Sequence, residues 1–196
     1  MKLLFLPLIL AAFSLTASAT TVIADGGITG YQFGFSTTSD VLGFTPFTSS
    51  GQSVATITVG SMQGGVFNAF ATSDANPPRF GEVGDLTGRW LGSAGDNSSA
   101  ADASNGQQIW FAITTTVGGQ TYTGYFADMG TLFPTNAGGA GDDQLVLSNN
   151  LDTVAAASTG NWTIDHANQR VTLVIPEPST ALAGALGALL LLRRKR

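Results

Sequence analysis

Hydrophobic and polar residues alternate through much of the chain between residues 20 and 175. The clearest alternation is at 107–116, where one predicted face carries Ile109, Phe111 and Ile113 and the other carries Trp110, Ala112 and Thr114. Successive side chains of a β-strand point to opposite faces, so this period of two predicts a half-buried strand.

A tight turn follows this strand. Gly118 and Gly119 adopt positive φ angles without steric cost, as a two-residue hairpin turn requires. The chain then returns at 120–126, with Phe126 on one face and Tyr125 on the other. The pattern predicts a β-hairpin with Trp110 and Tyr125 on the face opposite its aliphatic residues.

Shorter segments of the same kind recur on both sides of the hairpin. Predicted strands cover 28–35, 53–59, 64–71, 84–91, 144–147, 161–164 and 170–175, and polar or Gly-rich loops cover 93–106 and 134–141. No segment of this region keeps a helical period. Many short strands joined by polar turns predict an all-β fold, an antiparallel β-sandwich of jelly-roll type, preceded by a signal helix and followed by a hydrophobic helix.

The first 19 residues have the pattern of an export signal. Lys2 gives a positive start, an apolar segment follows at 3–15, and Ala17-Ser18-Ala19 matches the small-residue site that signal peptidase cleaves. We expect the mature chain to begin near Thr20. The alternative is a membrane helix that is retained.

The C-terminal segment, 176–196, has three parts. Pro176-Glu177-Pro178 is stiff and extended, because proline fixes φ and lacks a backbone donor. The apolar run at 181–192 spans only about 18 Å as a helix, short of a hydrocarbon core of about 30 Å. The basic end, which stays cytoplasmic, is Arg193, Arg194, Lys195 and Arg196. We therefore expect a short inner-membrane anchor with residues 20–175 outside the cytoplasm.

These three parts, in this order at the C-terminus, resemble the PEP-CTERM sorting signal of Gram-negative bacteria. The resemblance covers the tail alone. It implies recognition by exosortase, a membrane-embedded transpeptidase-like enzyme, and cleavage near Pro176, Glu177 and Pro178. It also implies delivery to the cell surface or extracellular matrix, often in bacteria that make exopolysaccharide. A Gram-positive sortase tail fits less well, because no Leu-Pro-x-Thr-Gly box is present.

The region between the two end segments is acidic and lacks cysteine. The whole chain has a net charge of −5, and both lysines lie in the end segments. Residues 20–175 hold 3 arginines and 12 Asp or Glu residues, so 3 − 12 gives −9. This charge argues against a nucleic-acid partner and suits a soluble exported domain. Without cysteine the fold has no disulfide and no thiolate nucleophile.

The patterns that would point to catalysis are weak, and we predict no catalytic residue. His166, the single histidine, lies in a predicted turn, and no Gly-x-Ser-x-Gly motif accompanies it. Glu82, Asp128, Asp142 and Asp143 are the candidates for a glycosidase carboxylate pair. The simpler interpretation is that these acids lie on the surface.

Calcium is the only cofactor for which the sequence offers candidate ligands. Asp142 and Asp143 follow a Gly-rich loop, and calcium takes oxygen ligands of this kind. Asp96-Asn97 and the segment 149–152 are further candidates, although neither has EF-hand spacing. The alternative is that these side chains hydrogen-bond their own backbone in turns.

Exposed aromatic rings are the remaining candidate feature. Trp110 and Tyr125 are suited to stacking on sugar rings if their face of the hairpin is open, and core packing is the alternative. We expect an exported structural or adhesive protein of the cell surface or matrix, associated with exopolysaccharide. The alternatives are a secreted carbohydrate-active hydrolase, a lectin-like glycan-binding module and a matrix protein without a ligand.

Overall fold

The structure, a computed structural model, describes residues 20–23, 31–39, 43–50, 54–70, 78–96, 106–133 and 143–175. In these residues the chain is all-β apart from one 3₁₀ turn at Gly84–Leu86, which confirms the predicted fold class. The strands in chain order are β1 Thr20–Ile23, β2 Gly34–Ser39, β3 Gly43–Pro46, β4 Ala55–Gln63, β5 Val66–Ala69, β6 Arg79–Phe80, β7 Trp90–Leu91, β8 Ser93–Asp96, β9 Gln108–Val117, β10 Gln120–Leu132, β11 Asp143–Val146, β12 Leu151–Val154, β13 Asn161–Asp165 and β14 Arg170–Val174.

The export and sorting segments lie outside the described residues. This applies to the expected signal helix with Ala17 and Ala19, to Pro176, Glu177 and Pro178, and to the basic end at 193–196. Among the described residues, no helix is long and apolar enough to cross a membrane.

The described strands form four sheets. Their orders are β11-β1-β8, β12-β10-β9-β4-β5, β13-β14-β2-β3 and β6-β7. Two pairings are parallel, β1 with β11 and β14 with β2, so the arrangement is mixed rather than purely antiparallel as predicted. Alternation within a strand identifies its faces but does not reveal the direction of a neighbour that is distant in sequence.

The predicted hairpin at the centre of the largest sheet is confirmed. Strands β9 and β10 pair antiparallel, and the turn residues Gly118 and Gly119 have φ angles of 59° and 80°. Ile109, Phe111 and Ile113 are each fully buried on one face. The strands predicted at 161–164 and 170–175 are confirmed as well, and as β13 and β14 they pair antiparallel across the turn at 166–169.

The five-stranded and four-stranded sheets contribute side chains to one hydrophobic core. The ring of Phe126 on β10 lies 6.3 Å from that of Phe35 on β2 and 5.3 Å from that of Trp162 on β13. Tyr31, just before β2, meets Phe111 of β9 edge-on at 5.5 Å. Aromatic pairs at these separations add to the stabilisation that burial provides.

Four predicted segments differ from the structure. In the first, the predicted strand at 28–35, the described residues 31–33 are not in a strand, and β2 begins at Gly34. Gly64 and Gly65, expected to begin a strand, instead form the β4–β5 turn with φ angles of 57° and 81°. The predicted loop at 93–106 begins with β8, which pairs with β1. The predicted strand at 84–91 is a 3₁₀ turn followed by the two residues of β7. β8 acquires its structure from a distant partner, whereas β7 pairs with the nearby β6, so neither depends on its own pattern alone.

Candidate functional site

The outer face of the five-stranded sheet carries a group of half-buried aromatic side chains. Phe67 of β5, Trp110 of β9 and Tyr125 of β10 point away from the core, and we call them the aromatic platform. The rings of Phe67 and Tyr125 lie 5.3 Å apart with an interplanar angle of 37°. The platform thus extends across the sheet from β5 to β10.

Small residues make this arrangement possible. Trp110 is paired with Gly60 on one side and Ala127 on the other. Gly60 also lies under the ring of Phe67, because a Cβ at Gly60 would come within 2.7 Å of the Phe67 Cζ. A side chain at this position would displace the ring, so the glycine lets Phe67 lie low over the sheet.

Trp110 differs from the other two tryptophans in its environment. Trp162 is buried and donates its indole N–H to the Thr159 carbonyl at 2.8 Å. Trp90 is fully buried, and its indole N–H has no partner among the described residues. The side chain of Trp110 is half-buried and forms no hydrogen bond or ring contact with another described residue. It therefore offers a ring face and a donor to a ligand.

Threonine hydroxyls continue the outer face beside the platform. The Oγ1 atoms of Thr114 and Thr123 lie 3.0 Å apart, and those of Thr116 and Thr121 lie 3.1 Å apart. These pairs join β9 to β10 on the face that Tyr125 shares. The outer face therefore combines apolar rings with hydroxyl groups. A sugar ring likewise has apolar C–H faces and polar hydroxyl groups.

Asp128, a candidate for carboxylate chemistry, lies in the core. Its side chain is fully buried, with Oδ2 accepting a hydrogen bond from the Tyr31 hydroxyl at 2.8 Å. Its Oδ1 accepts from the Thr131 hydroxyl at 3.2 Å, the Ser148 N–H at 3.3 Å and the Ser148 hydroxyl. A buried carboxylate is stable only when donors surround it in this way. Asp128 therefore joins three segments of the fold.

Tyr31 shows the effect of this environment on ionisation. Its burial in the core, followed by the negative charge of Asp128 and the hydrogen bond to it, raises the pKa of Tyr31 far above its usual range. The phenol therefore remains the donor in this pair. The Tyr31–Asp128 contact is a structural link between β10 and the segment that leads into β2.

Of the other candidate acids, the structure describes the side chain of Glu82 but not those of Asp142 and Asp143. Glu82 is exposed and accepts a hydrogen bond from the Ser50 hydroxyl at 2.8 Å. Asp143 lies in β11, where the structure describes only its backbone, and Asp142 lies outside the described residues. The His166 Nε2 is 3.8 Å from Asp152 Oδ1, and both side chains are more than half exposed.

Two of the predicted calcium ligands that the structure describes accept hydrogen bonds from backbone N–H groups. Asn149 Oδ1 accepts from the Gln32 N–H at 2.8 Å, and Asp152 Oδ1 accepts from the next backbone N–H at 2.7 Å. Among the described residues, no group of three or more His, Cys, Asp or Glu side chains could hold a metal ion. Asp152 thus bonds its own local backbone, as turn residues do, whereas Asn149 joins its segment to the one that holds Gln32.

Comparison with protein-family models, curated proteins and solved structures finds no match to this chain. The residues themselves therefore carry the functional proposal. The structure brings the predicted pair Trp110 and Tyr125 to the same face and adds Phe67, which the sequence pattern did not assign to it. The signal for Phe67 was Gly60, whose missing side chain leaves room for the ring.

Proposed function

We propose that this protein is exported, sorted by its PEP-CTERM-like tail to the cell surface or extracellular matrix, and bound there to exopolysaccharide through the aromatic platform. The observation that carries the binding role is that Trp110 is half-exposed on the same outer sheet face as Phe67, Tyr125 and the threonine hydroxyls. Aromatic faces stack on the C–H faces of sugars, while hydroxyls and the indole N–H meet sugar oxygens.

The proposed fold is a β-sandwich of the five-stranded and four-stranded sheets. Supporting it are the ring contacts of Phe126 with Phe35 and Trp162, which join the two sheets through the core. In such a fold the inner faces exclude water and the outer faces are free to bind. The platform then occupies one outer face.

Export and sorting rest on the sequence of the two end segments. Glu177→Ala should block tail processing, and intact-mass measurement of the protein recovered from its host should then show the residues after Pro176 still attached. A mass equal to that of the processed wild-type protein would overturn the exosortase assignment. Replacing residues 193–196 with neutral residues should release the unprocessed tail from the inner membrane.

The binding role is tested by affinity electrophoresis in gels that contain a neutral polysaccharide or the exopolysaccharide of the host. Trp110→Ala and Tyr125→Ala should each abolish most of the retardation that the wild-type protein shows. Thr121→Ala, on the same face but outside the platform, is the matched control and should be retarded like wild type. Equal retardation of all variants, with unchanged melting temperatures, would contradict the proposal.

The placement of the acids favours binding over hydrolysis as the proposed role. A glycosidase needs two carboxyl groups about 5–10 Å apart across a cleft. Of the described candidates, Asp128 is enclosed in the core and Glu82 is on the surface, bonded to Ser50. A lectin-like module would use the same platform, so the electrophoresis tests that alternative together with the matrix role.

A further inference from the structure

A polar cleft of about 240 Å³ lies at the meeting point of three chain segments and shares no residue with the aromatic platform. Gly34 of β2 is paired in parallel with Arg170 of β14, and it also forms a bridge with Arg89. The Gly34 N–H donates to the Gln169 carbonyl at 2.9 Å. Backbone pairing thus fixes both arginines in the lining of one cleft.

The lining of the cleft is positively charged, whereas residues 20–175 as a whole are negatively charged. Residues 20–175 carry a net −9 and hold 3 arginines, of which Arg89 and Arg170 line this cleft. Asp85 is the one acid in the lining, so 2 − 1 gives +1. A local positive charge in an acidic protein concentrates anions at that place.

Arg89 is the group that points to a ligand. Its side chain is half-buried, and it makes no hydrogen bond or ion pair with another described residue. Arg170, in contrast, has partners, and its charge helps to hold the pKa of Asp165 below its usual range, after the larger effect of the hydrogen bonds from Asn168. A partly desolvated guanidinium with five donors and no acceptor is suited to a carboxylate, which it binds in a two-bond fork.

Amide groups complete the cleft. Gln169 Nε2 donates a hydrogen bond to Gln32 Oε1 at 2.9 Å. This leaves Gln32 Nε2 available to a ligand as a donor and Gln169 Oε1 available as an acceptor. Such a pair complements the hydroxyl groups of a sugar.

We propose that this cleft binds the carboxylate of a uronic acid unit in an acidic polysaccharide. The choice of a sugar rests on the proposed function, whereas the choice of a carboxylate rests on Arg89. The two sites would therefore bind different parts of a polysaccharide. The platform would bind the neutral faces of its sugar rings, and the cleft would bind its carboxylate groups.

The test uses the protein as recovered from its host, which contains the 20–175 region. It is titrated separately with glucuronate, glucose and inorganic sulfate, and binding is measured by NMR or calorimetry. Glucuronate should bind, and binding should weaken with added salt because the cleft is open to solvent. Arg89→Gln should weaken glucuronate binding about ten-fold or more, because it removes a charge-assisted hydrogen-bond pair. Arg79→Gln makes the same change of charge outside the cleft and should leave binding within about two-fold of wild type.

Two further variants separate a specific site from a general charge effect. Asp85→Asn should tighten glucuronate binding, since it removes the competing carboxylate from the lining. Gly34→Val should block the cleft and preserve the fold, because a Cβ at Gly34 meets no atom within 4 Å and valine favours strands. Unchanged melting temperatures would verify that the variants fold.

Several results would overturn the proposal: no binding of glucuronate, equal loss in Arg89→Gln and Arg79→Gln, or glucose bound as well as glucuronate. Sulfate bound as tightly as glucuronate would show a general anion site and would overturn the uronic acid assignment. These outcomes are independent of the platform, whose variants Trp110→Ala and Tyr125→Ala are tested on neutral polysaccharide. Failure of the cleft and failure of the proposed function can therefore be distinguished.

Discussion

The two faces of strand β9 contain residues of similar size in very different environments. Phe111 on the inner face is fully buried and meets Tyr31 and Trp90 at ring distances of 5.5 and 4.9 Å. Trp110, its neighbour in sequence, is half-buried on the outer face and has no ring partner among the described residues. The same alternation thus supplies one residue that stabilises the fold and another that is available to a ligand.

The largest expected difference is between truncations at these two neighbours. Phe111→Ala should lower the free energy of unfolding by about 3–5 kcal/mol, since it leaves a cavity in the core. Trp110→Ala removes a ring that is already partly in water and should cost about 1–2 kcal/mol. Urea unfolding of both variants measures the difference, and equal losses would mean that the two faces are not distinct.

The next effect concerns the buried carboxylate on the inner face. Asp128→Ala should lower the free energy of unfolding by about 3 kcal/mol, because the Tyr31 and Thr131 hydroxyls lose their buried acceptor. Asp152→Ala is the matched control, because Asp152 is exposed. A loss no larger than that of the control would show that Asp128 does not hold the three segments together.

The loss of stability at high pH provides a second test of the buried Tyr31–Asp128 pair. Unfolded tyrosine ionises near pH 10, whereas burial and Asp128 keep Tyr31 protonated in the folded protein at higher pH. The folded state then binds more protons than the unfolded state, so stability is complete below about pH 10 and falls as pH rises above it. Thermal melting from pH 8 to 11 should show a shallower decline for Tyr31→Phe than for Tyr122→Phe. Identical declines would contradict the raised pKa.

The smallest effect is expected on the outer face away from the platform. Thr114→Val removes the hydroxyl contact with Thr123 but keeps a β-branched side chain in the strand. The free energy of unfolding should change by about 0.5 kcal/mol or less, as is usual for exposed cross-strand pairs. A loss of several kcal/mol in urea unfolding would show that this face is covered and structural.

The sequence was a good guide at the β9–β10 and β13–β14 hairpins, although it missed the short strand β3 beside β2. The alternation at Ile109, Phe111 and Ile113 and the turn at Gly118 and Gly119 identify the central hairpin without further information. The same alternation also separates Trp110 and Tyr125 from the core, because the two faces of a hairpin follow directly from the period of two.

Features that depend on distant pairing were not predictable in this way. β1 and β12 have only four residues each, too few for a clear period, and their partners come from other parts of the chain. The parallel contact of β14 with β2 joins residues about 136 apart, as in Arg170 and Gly34, and this contact creates the arginine cleft. Arg89 looks like any surface arginine in the sequence, and its significance appears only when Arg170, Gln32 and Gln169 are placed around it.

The central claim is that the outer face binds polysaccharide while the inner face holds the fold, and the three tryptophans test it in one experiment. The chain has 3 tryptophans, so a ¹H–¹⁵N correlation spectrum should show one indole N–H signal for each of them. On addition of exopolysaccharide, the Trp110 signal should move while those of buried Trp90 and Trp162 stay in place. A spectrum in which Trp110 is unmoved, or in which Trp90 or Trp162 moves instead, would contradict the account.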